Sequence, residues 1–501
     1  MDYSENRGAI AKVVQTINLY PERIAFVIED KEYTYQQLSE RISGLLYEIR
    51  QCPDKRLGII AYDSIDTYAA ILATLISGKT YVILHPEYPK DRNNKIVSSA
   101  KLNLVLGAYA PNEGIIDINA ITYLHTDSIP SRGDKIQEIL GSENDYAYII
   151  FTSGSTGEPK GVPISRKNLN SFYDAYKKLN WRLDAEDRML QMFELTFDVS
   201  IVSFLYPLTL GASIYTVGYK DVKHFKVIDI IERYAITFAA VTPSLLQLIS
   251  PYYSEINLPS IKYLIVTAEA SQMEVIKKFQ ACAPNAQFVN LYGPTEATIY
   301  CSVYKIPRGK SCKHYNGMIA VGKPFEGIDA IIIDEDNQVL ANGEKGELLI
   351  SGGQVMTGYL NDKKKSEEAL VKLNGKIYYK TGDLCVIDDD GDLIYCGRKD
   401  HQVKIQGYRI ELSEIEYTAK EYFRNNRNAI VLSMNNQNIG KELWLLIEGG
   451  KCQENEVYKF LEDKLPSYML PKKILFMDKF PQNNSNKIDR KRITELINNL
   501  Y

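Results

Sequence analysis

Short apolar runs alternate with helical-looking stretches through the N-terminal half of the chain, and this alternation constrains the fold more than any other feature. An apolar run at 56–61 is followed by an amphipathic stretch at 67–76 and another apolar run at 80–84. The pattern returns at 102–106, 235–241, 261–266 and 287–291. Strand-length runs beside helical periodicity predict α/β layers with largely parallel sheets. From about Val321 the texture changes to short β runs punctuated by turns, at 329–339 and 346–351, and 388–395 reads as a hairpin around Asp390-Gly391. At 501 residues the chain is too long for one compact core. The expected organisation is a large domain over 1–398, of layered α/β sheets plus a β-rich subdomain. A small, mobile α+β domain follows over 399–501.

With 59 basic and 63 acidic side chains the net charge is −4, which gives no electrostatic case for nucleic acid or an anionic membrane surface. The seven cysteines are scattered without a Cys-x-x-Cys pair and read as reduced thiols. The first residues have no apolar signal region and no stretch stays apolar long enough to span a bilayer, so a cytoplasmic location is expected.

Behind the apolar Tyr146-Ala-Tyr-Ile-Ile150, residues 151–161 read Phe-Thr-Ser-Gly-Ser-Thr-Gly-Glu-Pro-Lys-Gly. A strand that empties into such a loop can turn its backbone amides toward an anion, and ATP phosphates are the first ligand to consider. Gly154, Gly157 and Gly161 permit close backbone approach. Thr152, Ser153, Ser155 and Thr156 add donors, and Lys160 adds charge. A Walker loop is excluded, because Pro159 precedes the lysine and Gly161 follows it. A plain turn or flexible connector is the competing reading.

Four further segments favour the nucleotide: Asn290-Leu-Tyr-Gly-Pro-Thr-Glu296, Tyr379-Lys-Thr-Gly-Asp383, the run from Gly397 to Arg409, and Asn486-Lys-Ile-Asp-Arg490. With the loop they stand in the order found in adenylate-forming enzymes. From Tyr33 onward the chain resembles that superfamily, above all freestanding D-alanine:D-alanyl carrier protein ligases and adenylation domains of non-ribosomal peptide synthetases. The resemblance implies that a carboxylate attacks the α-phosphate of ATP and expels pyrophosphate, so the protein positions reactants and neutralises charge. It places Asn290, Leu291, Tyr292, Gly293, Pro294, Thr295, Asp383, Tyr395 and Arg398 around ATP. Tyr292 would stack on adenine, Thr295 would contact the α-phosphate and Asp383 would bind the ribose hydroxyls. Glu296 would hold Mg²⁺, Asp400 would be the hinge of the small domain, and Lys487 would bridge α-phosphate and substrate carboxylate as the principal catalytic residue. Asn486 stands where relatives usually carry glycine, and asparagine tolerates the positive φ such a loop can require.

The resemblance also selects the acid. Asp198, after Phe197, would accept a substrate α-ammonium, a charge-assisted contact that a fatty or aryl acid cannot return; capping of the following helix is the plainer alternative. Val199, Val202, Ala240, Ile265, Thr267, Leu291, Ile299 and Tyr300 would line a small, mostly apolar pocket with Thr267 and Tyr300 as its only hydroxyls. A small neutral amino acid such as alanine, serine, threonine or valine fits that lining. D-alanine ligases typically carry Cys-Gly-Glu where this chain has Thr267-Ala268-Glu269, which leaves handedness open. No room remains for a carrier domain after Lys487 or a condensation domain before residue 20, so a separate phosphopantetheinylated carrier protein is expected as partner. Relatives commonly work as monomers. An acyl- or aryl-CoA ligase and a non-catalytic nucleotide-binding relative stand as alternatives.

Overall fold

A computed structural model describes residues 8–110, 112–136, 139–154, 158–400, 402–436, 440–482 and 488–500. The predicted alternation builds two sheets. In one of six strands, Thr122–His125, Leu104–Gly107, Arg56–Ile60, Thr80–Leu84 and Tyr146–Thr152 run parallel, and Lys160–Ser165 closes the edge antiparallel. In the other, of nine strands, Gln287–Tyr292, Tyr263–Val266, Phe238–Val241, Arg188–Gln191, Ser213–Thr216 and Ile24–Ile28 form a parallel centre between antiparallel edges. Continuous Val, Ile, Leu and Ala content suits strands covered on both faces.

A single apolar cluster joins the sheets. It takes Leu57 and Tyr81 from one, Phe26 and Ile214 from the other, and Tyr68, Leu72, Phe204 and Leu208 from helices between them. This corrects the expectation of an amphipathic stretch at 67–76. The helix Ile65–Ile76 buries every one of its residues, because a helix that supports two layers has no solvated side. Its one carboxylate, Asp66, is satisfied by Arg41 through contacts of 2.7 and 2.9 Å.

The change of texture near Val321 corresponds to an antiparallel five-stranded sheet. The long strand Lys376–Ile387 pairs with Gly346–Gly352, with Leu370–Leu373, and with Leu393–Arg398, the last through the predicted hairpin at 388–392. Beyond Arg398 a hairpin, Gln402–Ile405 with Tyr408–Glu411, leads into the helix Leu412–Tyr422 and a three-stranded sheet of Ala429–Asn436, Gly440–Glu448 and Lys473–Met477. These elements have apolar clusters of their own, one around Ile415, Leu445 and Met469 and one around Trp444, Phe480 and Ile493. No helix among the described residues is long and apolar enough to cross a membrane.

Candidate active site

Parallel strands point their carboxyl ends, and the loops that follow, toward one crevice, which is where open α/β sheets bind ligands. Thr152, Ala240, Ile265, Asn290, Leu291 and Tyr292 lie at or near such strand ends, and Thr267 lies just beyond one. Asp198 opens the helix Val199–Leu210 beside them.

A cavity of about 370 Å³ in this crevice is lined by Asn290, Leu291, Tyr292, Gly293, Asp383, Tyr395 and Arg398, seven of the residues expected around ATP. The Tyr292 hydroxyl donates to Asp383 Oδ2 at 2.5 Å, and Arg398 Nη1 donates to Oδ1 at 2.7 Å. The fork of Arg398 also grips Asp400, at 2.7 Å from Nε and 2.6 Å from Nη2. With its side chain 12% exposed, Arg398 is no surface ion pair. Burial pushes the Asp400 carboxyl up, but Arg398 outweighs it and leaves the group below its ordinary value.

Glu296 is fully buried beside this cavity, in the one-turn helix Thr295–Ala297 that follows Pro294. Its Oε1 accepts from the Tyr359 hydroxyl at 2.8 Å and faces Lys160 Nζ at 3.5 Å, while Oε2 accepts from Arg409 Nη1 at 2.7 Å. Burial alone would raise its carboxyl, yet Arg409 and Lys160 hold it far below the usual range. Burial and Arg409 together lower the Lys160 ammonium. Magnesium retains water and phosphate oxygens and needs only one or two protein carboxylates. Glu296 fits that requirement once Arg409 gives way. Among the described residues, the one cluster of three metal-type ligands, Asp388, Asp390 and Asp392, has its centre taken by the Lys313 ammonium, 2.6–2.7 Å from all three.

Ser153 and Gly154, which follow the strand Tyr146–Thr152, face the segment beyond Arg398. Ser153 Oγ donates to the Arg409 carbonyl at 3.1 Å and accepts from the Glu411 amide at 3.2 Å. The Gly154 amide donates to Glu414 Oε2 at 3.1 Å, so an anion does sit on the loop, as a carboxylate of the chain itself. Among the described residues, the buried Thr152 hydroxyl has no hydrogen-bond partner. Ser155, Thr156, Gly157 and Lys487 lie outside the described residues. From beyond residue 400 it is Gln402, Val403, Lys404 and Lys441 that line the 370 Å³ cavity.

Asp198 is buried, and its side chain makes no cap hydrogen bond to the helix it opens. Among the described residues its Oδ2 has no partner at all. Burial pushes its carboxyl up to about 6, against the pull of the Thr295 hydroxyl. Val199, Val202, Ala240, Ile265, Leu291, Ile299 and Tyr300 join the central apolar cluster. Val202, Ala240, Ile265 and Tyr300 enclose a void of about 10 Å³, the room of a single water. Tyr176, Ser203 and Tyr206 also reach this void from helices, whereas Thr267 does not line it. Thr298 and Ile299 hold φ of 57° and 71°, a left-handed conformation that costs β-branched residues about 1–3 kcal/mol each and concentrates at functional sites.

Sequence reasoning did not assign Arg409, Lys404, Tyr359 or Glu414. Arg409 and Lys404 belong to the quoted run from Gly397, in the hairpin that points at the cavity. Tyr359 carried no signal, its partner Glu296 lying 63 residues away in sequence, and Glu414 belongs to a family-like run, 407–416, that did not show its pairing with Gly154, 260 residues away.

The sequence profile of the AMP-binding enzyme family matches residues 13–360. The D-alanine–D-alanyl carrier protein ligase of Bacillus licheniformis is 32% identical over 97% of this chain and 99% of its own. Tyrocidine synthase 1 of Brevibacillus parabrevis is 29% identical over 98% of this chain, and bacitracin synthase 3 of Bacillus licheniformis is 30% identical over 94%. The chain spans 45% and 7% of those two proteins. Among solved structures, the Vibrio cholerae adenylation domain AlmE, in complex with glycyl-adenosine-5'-phosphate, superposes with a TM-score of 0.87 at 23% identity over 99% of this chain and 98% of its own. An o-succinylbenzoate CoA synthetase of Bacillus subtilis gives 0.82 at 21% identity over 97% and 98%. Likeness at that identity carries the fold alone, whereas the profile and the carrier protein ligase carry the family: the chain belongs to the AMP-binding enzymes, the adenylate-forming ligases that use ATP.

Proposed function

We propose that this enzyme activates a small neutral amino acid as aminoacyl-AMP, releasing pyrophosphate, and passes the aminoacyl group to the phosphopantetheine thiol of a separate carrier protein. The observation that carries this reading is Asp198, a buried carboxylate with an unpartnered oxygen. A buried acceptor without a donor is costly, and a substrate ammonium removes that cost, which an apolar acid does not. The narrow void beside Val202 and Ala240 supports a short side chain. Likeness to the carrier protein ligase favours D-alanine, with glycine, L-alanine and serine as the nearest competitors.

In this reading Asp383 takes the ribose hydroxyls and Lys160 steadies the departing pyrophosphate. Glu296 holds magnesium, which supplies positive charge to the phosphates. Lys487 brings charge to the α-phosphate as the substrate carboxylate attacks it. The unit over 399–501 then turns about Asp400, a few residues absorbing the change in dihedrals. The carrier thiol adds to the acyl carbon, AMP leaves with the bonding electrons, and the thiol proton passes to water. The test is ATP–pyrophosphate exchange with every L- and D-amino acid and with short fatty and aryl acids. Exchange confined to small amino acids is expected. Exchange with fatty or aryl acids alone would make the protein a CoA ligase and overturn the proposal.

A further inference from the structure

A second cavity, of about 420 Å³, opens between the large domain and the tip of the hairpin at 402–411, with His85, Phe197, Lys223 and Tyr408 among its walls. The tip is held by two carboxylates of the large domain. Glu269, itself fixed by Ser244 at 2.9 and 3.0 Å, accepts the Gly407 amide at 2.5 Å. That grip is on backbone. Gly407 has φ 84°, and a Cβ there would meet Thr242 Cγ2 at 2.8 Å, so the tip requires glycine for its turn and its close approach.

The second grip reads a side chain. Glu194, 11% exposed, accepts the Tyr408 hydroxyl and Lys223 Nζ, the latter at 2.9 Å, on one oxygen. Lys223 also reaches the Tyr408 hydroxyl at 3.3 Å. The other oxygen faces His85 Nε2 at 3.7 Å. His85 Nδ1 accepts the Glu87 amide at 3.1 Å, so the neutral ring carries its proton on Nε2, toward Glu194. Burial pushes the Glu194 carboxyl up, but Lys223 and the Tyr408 hydroxyl outweigh it, so the group is ionised at neutral pH. The Tyr408 ring stacks on Tyr468 with centroids 4.1 Å apart and forms a T-shaped pair with Phe197, the neighbour of Asp198, with centroids 5.1 Å apart.

We propose that Glu194 is a positioning residue for the transfer step: by accepting the Tyr408 hydroxyl it docks the hairpin against Phe197 and shapes the wall along which the acceptor thiol approaches. The proposal rests on the two-step reaction of the preceding subsection. Adenylation does not call on Glu194 or Tyr408, since neither lines the nucleotide cavity. Tyr408→Phe removes the hydroxyl and keeps the stacked ring; Glu194→Ala removes the acceptor.

The test uses the full chain with two readouts. Hydrogen–deuterium exchange over 402–411 is expected to quicken about tenfold in either variant, with the sheets of the large domain unchanged. Pyrophosphate exchange should stay within about twofold, while thioester formation with pantetheine as acceptor falls about tenfold in kcat. The double variant should be no worse than either single one, because both remove the same contact. Unchanged hairpin exchange, equal loss of both half-reactions, or multiplying losses would each overturn the proposal. If the parent protein exchanged pyrophosphate with no amino acid, the proposed function would fall, and hairpin exchange would still decide whether Glu194 docks Tyr408.

Discussion

Asp198→Asn should make the protein more stable and inactive at once. The carboxyl is raised from an ordinary 3.8 to about 6, chiefly by burial, about two units at 1.36 kcal/mol each. The folded-state value lies above the unfolded one, so the folded protein binds the proton more tightly. Stability is therefore full below about pH 4, declines as pH rises toward 6, and stays about 3 kcal/mol lower above that. Asparagine has nearly the same shape and no charge, so it avoids this loss.

The assay is a pair of thermal melts across pH 4 to 8. The variant should match the parent near pH 4, pull ahead as pH rises toward 6, and keep a constant lead above that. Saturating amino acid should raise the parent's melting temperature by occupying the orphan oxygen, and should leave the variant unmoved. In the parent, kcat/KM for the amino acid should fall about tenfold per unit below pH 6 as the acceptor is protonated. A variant that melts lower than the parent at pH 8, or a gap that does not change with pH, would refute the account of Asp198 as an uncompensated charge awaiting its ammonium.

Three further outcomes follow from the proposed function. Lys487→Ala should lose adenylation by at least about a hundredfold while calorimetry still records ATP binding; near-normal turnover would show the charge to come from elsewhere. Asp400→Pro should retain pyrophosphate exchange and lose thioester formation, because proline fixes the φ that the turn of the small domain must change; equal loss of both steps would count against the hinge. Asp383→Asn keeps an acceptor for Tyr292 but removes one of the two carboxylates that pair with Arg398, leaving Asp400, so KM for ATP should rise far more than KM for the amino acid. An equal rise in both would place Asp383 outside the nucleotide site.

Strand-to-loop boundaries were legible from sequence because they are local. Asn290 to Tyr292 and the loop after Thr152 could each be placed by an apolar run meeting glycine, proline or hydroxyl residues, and the sheets put them where such ends must go, whereas Asp383 lies inside the strand Lys376–Ile387. Packing between distant elements was not. The helix Ile65–Ile76 reads as amphipathic until a second layer covers its other side. Tyr176, Ser203 and Tyr206 enter the small void from helices whose periodicity gives no hint of which residue will face it. Glu296 could be singled out by its segment, but its partner Arg409 lies 113 residues on, across an interface that no local pattern describes.

That interface explains why the loop at 151–161 and the segment beyond residue 400 belong to one electrostatic system. Glu414 is 1% exposed and paired with Arg92, 5% exposed, at 2.6 Å, and its other oxygen takes the Gly154 amide. Arg409 is paired with Glu296. Buried charges of this kind hold together only while each keeps a partner, and removing one partner costs about 3–5 kcal/mol. In the proposed function a triphosphate entering the loop would compete with Glu414 for the Gly154 amide, and a magnesium ion at Glu296 would compete with Arg409. Each anion or cation brought by the nucleotide would then have a counterpart of like charge in the docked segment, so the loop would serve the nucleotide and the docked segment in turn, its amide never both at once.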